Sequence, residues 1–247
     1  MKHKIISALC IVLVVLLILF GFYKLSLLVG VFWLGLTTWG AFDIRLGYFL
    51  PVFYRKKTNK KVIAITFDDG PTEFTPKVLD ILEKYKAKAT FFCIGKQIEK
   101  HPDICIRIHS EGHQIGNHSY SHSNSFGFFS AEKIKAELQK TDSLIEKITG
   151  KKNHYFRPPF GVTNPHIARA VKALNHKVIG WNIRSLDTVI EDKNKILNRI
   201  THKIQPGSII LLHDTSEKTL WVLEQLLLTL QRENYKTITI EKLLKDA

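Results

Sequence analysis

The pattern of apolar and polar positions changes near residue 45. Residues Ile5 to Tyr23 carry no charged side chain, and after Lys24 a second uncharged stretch runs from Leu25 to Phe42. The first stretch is close to the roughly 20 residues that a helix needs to cross a bilayer. No small-x-small cleavage pattern follows it, so the pattern predicts an uncleaved membrane anchor over residues 1–45.

The second uncharged stretch leaves the number of spans open. Trp33 and Trp39 suit either a second span or a segment that lies at the membrane surface. Basic residues flank the whole region on both sides, and only Lys24 separates its two halves. The positive-inside rule therefore favours two spans with both ends in the cytoplasm, whereas a single span would put the rest of the chain outside.

From residue 61 onward, short β-branched or aromatic runs alternate with amphipathic helical stretches. The strand candidates are Val62–Phe67, Ala89–Ile94, His113–Asn117, His154–Arg157, Lys177–Asn182, Ser208–His213 and Lys236–Ile240. Seven such alternations predict an α/β fold with a parallel sheet that closes, or nearly closes, into a barrel. We expect a linker over residues 46–60 and one soluble domain over residues 61–247.

Charge and cysteine content exclude little. A formal charge of +14 indicates an anionic partner or a solvated basic surface, and the spread of lysines over the helical stretches favours the surface. No Gly-rich phosphate loop, zinc-finger spacing or aromatic-basic strand signature is present, so we expect no nucleic-acid partner. Cys93 and Cys105 could pair in an oxidising compartment or remain buried thiols.

Two neighbouring carboxylates, Asp68 and Asp69, stand where the first strand of the soluble domain ends. Side chains alternate between the faces of a strand, so both acids reach one pocket only if the backbone bends, which Gly70 and Pro71 allow. Carboxylates that share a pocket repel unless a cation binds one and a fixed positive group holds the other. The pattern predicts a metal-dependent hydrolytic centre, with a surface turn as the alternative.

His118 and His122 follow the third strand. Histidines spaced by four lie on one side of a helical turn and can chelate a single ion. The spacing alone is a weak signal, since a polar loop could produce it. The segment also lacks the glutamate of the His-Glu-x-x-His protease motif, which disfavours a zinc protease of that class.

Three further motifs follow later strands. Arg157-Pro158-Pro159-Phe160 follows the fourth, and because prolines lack N–H groups, Phe160 offers the next free backbone donor. Asp187 follows the fifth strand and His213 ends the sixth. Every motif thus comes directly after a strand, and this is the end at which α/β barrels assemble active sites.

In this order, the motifs Thr-Phe-Asp-Asp-Gly, His-Ser-x-x-His, Arg-Pro-Pro-Phe, the Asp187 segment and Leu-Leu-His213 resemble those of the NodB-homology polysaccharide deacetylases, carbohydrate esterase family four. The resemblance runs from about Lys61 to Leu244. It implies a distorted (β/α)7 barrel and a hydrolase that removes N-acetyl groups from the amino sugars of a polysaccharide, peptidoglycan or chitin-like, and releases acetate.

The resemblance also implies the roles of individual residues. One divalent metal, usually zinc with cobalt, nickel or manganese as substitutes, would be bound by Asp69, His118 and His122. Water activated by this metal would attack, with Asp68 as base and His213 as acid. Arg157 would steady the base and Asp187 would pair with the acid. Phe160 would supply an oxyanion donor, and Leu212 and Trp181 would border the substrate.

The Asp187 segment departs from the family pattern. Where members commonly have Asp-x-x-Asp-Trp, this chain has Arg184-Ser-Leu-Asp187-Thr188, which replaces an acid by a cation and removes an aromatic wall. A membrane-tethered glycan-binding protein with a degenerate site is therefore the alternative function, and amide hydrolysis on a non-carbohydrate substrate is a third. An envelope or extracellular glycan would require an outward-facing domain, so we expect an extracytoplasmic domain on one span, or a cytoplasmic one on two.

Overall fold

The computed structural model describes residues 2–246. Its helices are α1 (Lys2–Leu19), α2 (Tyr23–Phe42), α3 (Thr75–Lys84), α4 (Gly95–Lys100), α5 (Pro102–Ser110), α6 (Ala131–Thr149), α7 (Pro165–Ala173), α8 (Lys193–Thr201), α9 (Glu217–Arg232) and α10 (Ile240–Asp246). Its strands are β1 (Val52–Phe53), β2 (Val62–Asp68), β3 (Ala89–Cys93), β4 (Gln114–Asn117), β5 (Tyr155–Phe156), β6 (Lys177–Ile179), β7 (Ile183–Arg184), β8 (Ile209–His213) and β9 (Lys236–Thr237). Short 3-10 turns cover Ile44–Leu46, Phe126–Phe128 and Pro159–Gly161.

The strands form a parallel, curled sheet that makes an incomplete barrel. Their order is β1-β6-β5-β4-β3-β2-β8-β7, with β9 added beside β2. The register aligns Asp68 at the end of β2 with Phe92 of β3 and His213 of β8. Because neighbouring strands are parallel, their carboxyl ends meet at one mouth of the barrel. The predicted fold class is confirmed.

Alternation along β2 separates two hydrophobic clusters. Ile63, Ile65 and Phe67 face outward and are fully buried among residues of the helical layer, including Leu79 and Leu223. Ala64 lies in the second cluster, on the face that also carries Thr66 and Asp68. The inner face of the barrel is therefore the face that bears polar chemistry.

All seven predicted strands are present, but the sheet also contains two that the sequence pattern missed. β1 and β7 have two residues each, which is too short to show a period of two. The last predicted strand ends early, because Ile240 begins α10. Cys93 and Cys105 are both buried free thiols.

The apolar N-terminal region forms a helical hairpin. At 1.5 Å per residue, α1 (18 residues) and α2 (20 residues) are about 27 and 30 Å long, and both are long and apolar enough to cross a membrane. Trp33 Nε1 donates to Ser7 Oγ (3.1 Å) between them. The open end of the hairpin contacts the domain, where Lys2 Nζ donates to Leu46 O (2.8 Å) and His3 N–H to Tyr48 O (3.2 Å).

Candidate active site

The two neighbouring acids at the end of β2 both face the mouth of the barrel. Asp68 ends the strand on its inner face and is buried, while Asp69 has φ 75°, in the left-handed region. This backbone conformation is uncommon for a residue other than glycine. It interrupts the alternation of side chains between the two faces of the strand, so both carboxylates lie near His118. The bend therefore lies at Asp69 itself, one residue before the Gly70-Pro71 pair.

His118 and His122 meet through a loop, which corrects the expectation of a helical turn. Residues 118–123 contain no helix, and Ser119 (φ 63°) and His122 (φ 46°) both have positive φ. Asn117 Oδ1 accepts from Ser119 N–H (2.8 Å), and Ser119 Oγ accepts from His122 N–H (3.1 Å). The ring centroids lie 4.8 Å apart. Irregular backbone brings the imidazoles together where regular helical spacing was predicted to do so.

Asp69, His118 and His122 form a candidate metal centre. Their potential ligand atoms lie within 4.8 Å of one another. Asp69 Oδ1 is 3.5 Å from His118 Nε2 and 3.3 Å from His122 Nε2, and it is buried without a hydrogen-bond partner among the described residues. A buried carboxylate oxygen that faces two imidazole nitrogens suits a divalent cation, and the donor set suits zinc. The residues present therefore fit the implied metal.

Electrostatics at this centre favour a charged carboxylate. Burial by itself raises the pKa of Asp69, but the closeness of His118 and the charges of His118, His122 and His213 outweigh it and hold the pKa well below its usual range. Burial and repulsion by His118 lower the pKa of His122. Burial also acts to lower the pKa of His118, but the neighbouring Asp68 and Asp69 carboxylates outweigh it and leave that pKa raised. An ionised carboxylate and a neutral imidazole are the forms that bind a metal.

The Arg157 guanidinium is fully buried beside Asp68. Its Nη1 donates to Asp68 Oδ1 (2.7 Å) and to Thr66 Oγ1 (2.8 Å). Its Nε and Nη2 donate to the carbonyls of Ile179 and Gly180, both at 3.1 Å. Burial lowers the pKa of Arg157, and the ion pair with Asp68 opposes that change. The arginine thus fixes Asp68 in one orientation, with Asp68 Oδ2 left 3.8 Å from His118 Nε2.

His213 and Asp187 form a buried pair on the other side of the mouth. His213 Nδ1 lies 2.8 Å from Asp187 Oδ1, and His213 Nε2 lies 4.0 Å from Asp69 Oδ2. Burial lowers the pKa of His213, but its hydrogen bond and charge interaction with Asp187 outweigh this and leave the pKa raised. Burial likewise raises the pKa of Asp187, and His213 reverses it to a net lowering. The pair therefore favours a cationic imidazole beside the acid pocket.

Of the three residues predicted to contact the substrate, Phe160 and Trp181 lie at the Pro159–Gly161 turn, and Leu212 lies on the outer face of the barrel. The Phe160 ring is half exposed and lies 4.8 Å from the His122 ring, with its backbone in the left-handed region (φ 60°). Trp181 packs against Gly161, where a Cβ would collide with its ring. Leu212, however, pairs with Phe67 on the outer face and is buried against the helical layer. Leu212 therefore does not face the inside of the barrel, where it was predicted to border the substrate. Leu211 lies on the inner face, the face that also carries His213.

Three polar residues that the sequence analysis missed support the site. Ser185 Oγ donates to Asp187 Oδ1 (2.8 Å), and Thr219 Oγ1 donates to Asp187 Oδ2 (3.2 Å). Asp214, buried beside His213, accepts hydrogen bonds from the hydroxyls of Thr72 and Thr75, and burial raises its pKa to about 7. The Asp214 carboxylate also occupies the space that a Cβ at residue 70 would need. For Asp214, the only feature of the sequence that could have indicated a role is its position directly after His213.

Together these residues bring three carboxylates, three imidazoles and a buried guanidinium to one mouth of the barrel. The fold and the site therefore define a hydrolase built on a parallel β/α barrel with an Asp-His-His pocket.

Comparisons with known proteins identify the family. The sequence model of the polysaccharide deacetylase family matches residues 55–179. A peptidoglycan-N-acetylglucosamine deacetylase of Bacillus cereus is 34% identical over 203 residues, which cover 78% of this chain and 93% of the relative. Another Bacillus cereus protein of that name is 37% identical over 158 residues, 64% of this chain, and the match spans only 57% of its own length. The chain belongs to the polysaccharide deacetylase family, carbohydrate esterase family four.

A solved structure of the same family shows that the fold can carry either an active or an inactive site. A mutant of a family-four pseudoenzyme, with restored enzymatic activity, has a TM-score of 0.73 and 32% identity, covering 79% of this chain and 72% of that one. The unmodified pseudoenzyme is from Bacillus anthracis. Membership of this family and its fold therefore do not by themselves decide whether a member is active.

Proposed function

We propose that this protein is a metal-dependent deacetylase that hydrolyses the N-acetyl groups of glycan amino sugars and releases acetate. The arrangement of Asp69 Oδ1 between the two imidazole nitrogens carries this proposal, because it offers a cation three ligands in a partly buried pocket. The relatives that share this fold include deacetylases named for N-acetylglucosamine in peptidoglycan. Zinc is the metal that the two imidazoles and one carboxylate suit best, with cobalt, nickel and manganese as substitutes.

The chain's own residues divide the work of amide hydrolysis. A divalent cation, when bound, makes water easier to deprotonate and polarises a carbonyl. Asp68, held by Arg157, accepts the proton of the attacking water. In this proposal the Phe160 N–H donates to the negative charge that develops on the acetyl oxygen.

His213 completes the reaction on the leaving-group side. An amine leaves poorly unless it is protonated, so the imidazole must carry a proton that it can donate. Asp187 supplies this condition, since it raises the pKa of His213 and binds its Nδ1, leaving Nε2 directed toward the acid pocket. The products are acetate and a free amino sugar.

We also propose that residues 1–45 anchor the protein through two spans. The predicted linker over residues 46–60 instead belongs to the catalytic domain predicted over residues 61–247, because β1 pairs with β6 and Tyr48, Phe49 and Leu50 are buried in the inner cluster. The hairpin arrangement of α1 and α2 favours two spans over one, because both of its ends meet the same face of the domain. With Lys24 alone at the hairpin tip and basic residues at its base, the positive-inside rule then directs the domain to the cytoplasm.

The alternative is a membrane-tethered glycan-binding protein with a degenerate site. It is weakened by the presence of the complete acid, histidine and arginine set, and supported by the altered segment around Arg184 and Thr188. Acetate release from N-acetylglucosamine oligomers by the full chain, loaded with zinc and compared with a chelated sample, separates the two. Two results would contradict the deacetylase proposal: acetate release that survives in His118→Ala, or the absence of acetate release with every divalent metal tested.

A substrate panel addresses the nature of the amide. Peptidoglycan fragments and chitin oligomers, with acetylated xylan as an ester for comparison, should be tested beside acetylated peptides and simple amides. Preference for a non-carbohydrate amide would replace the glycan in this proposal and leave the hydrolytic chemistry unchanged.

A further inference from the structure

Hydrogen bonds connect the apolar hairpin directly to the rim of the catalytic mouth. Thr163 N–H donates to Ala41 O (3.0 Å), and Thr163 Oγ1 donates to Gly40 O (3.4 Å), both in the last turn of α2. Thr163 follows the Pro159–Gly161 turn, which carries Phe160 beside His122. The loop at the mouth is therefore attached to the end of a helix long and apolar enough to cross a bilayer.

A second segment of the rim is attached at the same place. Asn164 Nδ2 donates to Gly127 O (2.6 Å), which joins the Phe126–Phe128 turn to the residue after Thr163. This turn lies a few residues beyond His122 along the chain. The Phe160 loop, which borders the candidate metal centre, and the Phe126–Phe128 turn are thus joined next to the base of the hairpin.

Phe128 is the most unusual side chain on this rim. It is 92% exposed, whereas Phe126, in the same turn, is buried in the core. Phe42, the last residue of α2, is also exposed (70%), as is Trp39 one turn earlier. Aromatic side chains on exposed turns next to a membrane-crossing segment are typical of residues that lie in the bilayer interface.

Basic residues around the start of α1 also favour contact with a membrane surface. Lys4, Arg169 and Lys172 border a cavity of about 540 Å³ between the hairpin base and α7, and its walls include Leu50 and Val171. Basic side chains over an apolar floor suit anionic lipid headgroups, which attract lysine and arginine near the surface. The side of the domain that carries α7 therefore combines cations and exposed aromatics next to both ends of the hairpin.

We propose that the rim formed by residues 126–128 and 159–163 rests on the lipid bilayer, with Phe128 inserted into it, and that the substrate is an N-acetylated amino sugar carried on a membrane lipid. This inference rests on the proposed deacetylase function and names its substrate class. A sugar attached to a lipid of the same bilayer is confined to the height at which the mouth lies. Confinement raises its local concentration without any new protein contact.

The test uses the full chain, loaded with zinc, in vesicles that contain anionic phospholipid. One substrate is an N-acetylglucosamine tetramer coupled through its reducing end to a dialkyl lipid in the same vesicles. The other is the identical tetramer free in solution. The quantity compared between variants is the ratio of kcat/KM for the lipid-linked tetramer to kcat/KM for the free one.

Matched variants identify the contribution of the rim. Phe128→Ser should lower the ratio by about tenfold, because it removes one aromatic side chain from the apolar phase. Phe128→Leu should retain most of the ratio, since it keeps the side chain apolar. Ile106→Ser is the control: Ile106 is an exposed apolar residue on α5, which packs against α3, α4 and α6, and the ratio should not change.

A photo-crosslinking amino acid at position 128 gives a readout that does not depend on catalysis. It should label vesicle lipid, and the same amino acid at position 106 should not. Equal kcat/KM values for the two tetramers, an unchanged ratio in Phe128→Ser, or absence of lipid labelling at position 128 overturns the inference while leaving the deacetylase intact. Failure of both tetramers to release acetate, with lipid labelling at position 128, overturns the substrate assignment together with the proposed function and leaves the membrane contact standing.

Discussion

Asp187 binds His213 with both of its carboxylate oxygens. Oδ1 lies 2.8 Å from the imidazole Nδ1, and Oδ2 accepts the His213 backbone N–H, also at 2.8 Å. The same carboxylate accepts hydroxyl hydrogen bonds from Ser185 and Thr219. Each oxygen is therefore held by two donors, and the imidazole has one orientation, with Nε2 directed to the acid pocket. The altered segment before Asp187 has not removed the function of that residue as a partner for His213.

Replacement of Asp187 by asparagine should shift the alkaline limb of the kcat–pH profile to lower pH. The wild-type pKa of His213 is raised by Asp187, so the imidazole stays protonated as pH rises; without the carboxylate it loses its proton at lower pH. At neutral pH we expect kcat to fall by at least about tenfold. Asp192→Asn, a change at the N-cap of α8, is the control. An Asp187→Asn profile that falls uniformly at every pH would contradict the assignment of His213 as the acid.

Removal of one imidazole should release the metal. His122→Ala should bind zinc more weakly by at least the roughly 10- to 100-fold that loss of an outer-shell partner costs. Metal content after dialysis and the rise of Tm on adding zinc both report this, because a ligand that binds only the folded state stabilises it. His202→Ala, at an exposed histidine on the C-cap of α8, should keep the wild-type metal content. Equal zinc content in the two variants would remove His122 from the ligand set.

Loss of the Arg157 guanidinium should destabilise the domain strongly. Arg157→Met leaves the buried Asp68 carboxylate without its cation, which costs about 3–5 kcal/mol in the free energy of unfolding. Thermal unfolding in detergent, followed by near-ultraviolet circular dichroism, measures the change. The same substitution at the exposed Arg184 should stay within about 0.5 kcal/mol of wild type. Adding Asp68→Asn to Arg157→Met should recover part of the loss, and no recovery would indicate that packing, not charge, dominates.

The exposed Arg184 should influence the choice of glycan. Its guanidinium lies 6.0 Å from the Trp181 ring, where the family commonly has an acid. Arg184→Ala should lower kcat/KM about two- to fivefold on fragments that carry a lactyl carboxylate, and less on neutral chitin oligomers, because exposed charge pairs contribute little. The difference should shrink at high salt. A change of equal size on both substrates would exclude an electrostatic role.

Both ends of the chain should lie on the same side of the membrane. Because α1 and α2 form a hairpin whose two ends contact one domain, reporters fused to the N- and C-termini should give the same answer, and basic residues at its base predict the cytoplasm. Opposite answers from the two reporters would indicate a single span. If both reporters lay outside the cell, the two-span hairpin would stand, but the positive-inside rule would fail for this protein.

Local patterns in the sequence determined the fold class and the composition of the site. Alternation of short apolar runs with amphipathic stretches needs only windows of about ten residues, and it predicted the parallel strands. Because parallel strands end at one mouth, the positions of Asp68 and His213 at strand ends, and of His118 and Arg157 directly after strands, were enough to bring them together. The long helix that begins after Ser130 and ends at Gly150 is likewise determined by its own caps, with Ser130 Oγ accepting from Lys133 N–H and Gly150 in the left-handed region.

Tertiary structure alone decided how these residues meet. The loop conformation of His118 and His122 depends on hydrogen bonds to Asn117 and to the β5 loop, where His118 Nδ1 meets Arg157 O at 2.8 Å. The face that Leu212 occupies follows from its pairing with Phe67, and the place of the hairpin follows from contacts between Thr163 and α2. Apart from the local bond to Asn117, these contacts join residues more than 30 positions apart, with no periodic signal in any short window. A sequence therefore specifies elements and strand ends through local chemistry, whereas the register and orientation of distant segments arise only when the whole core packs.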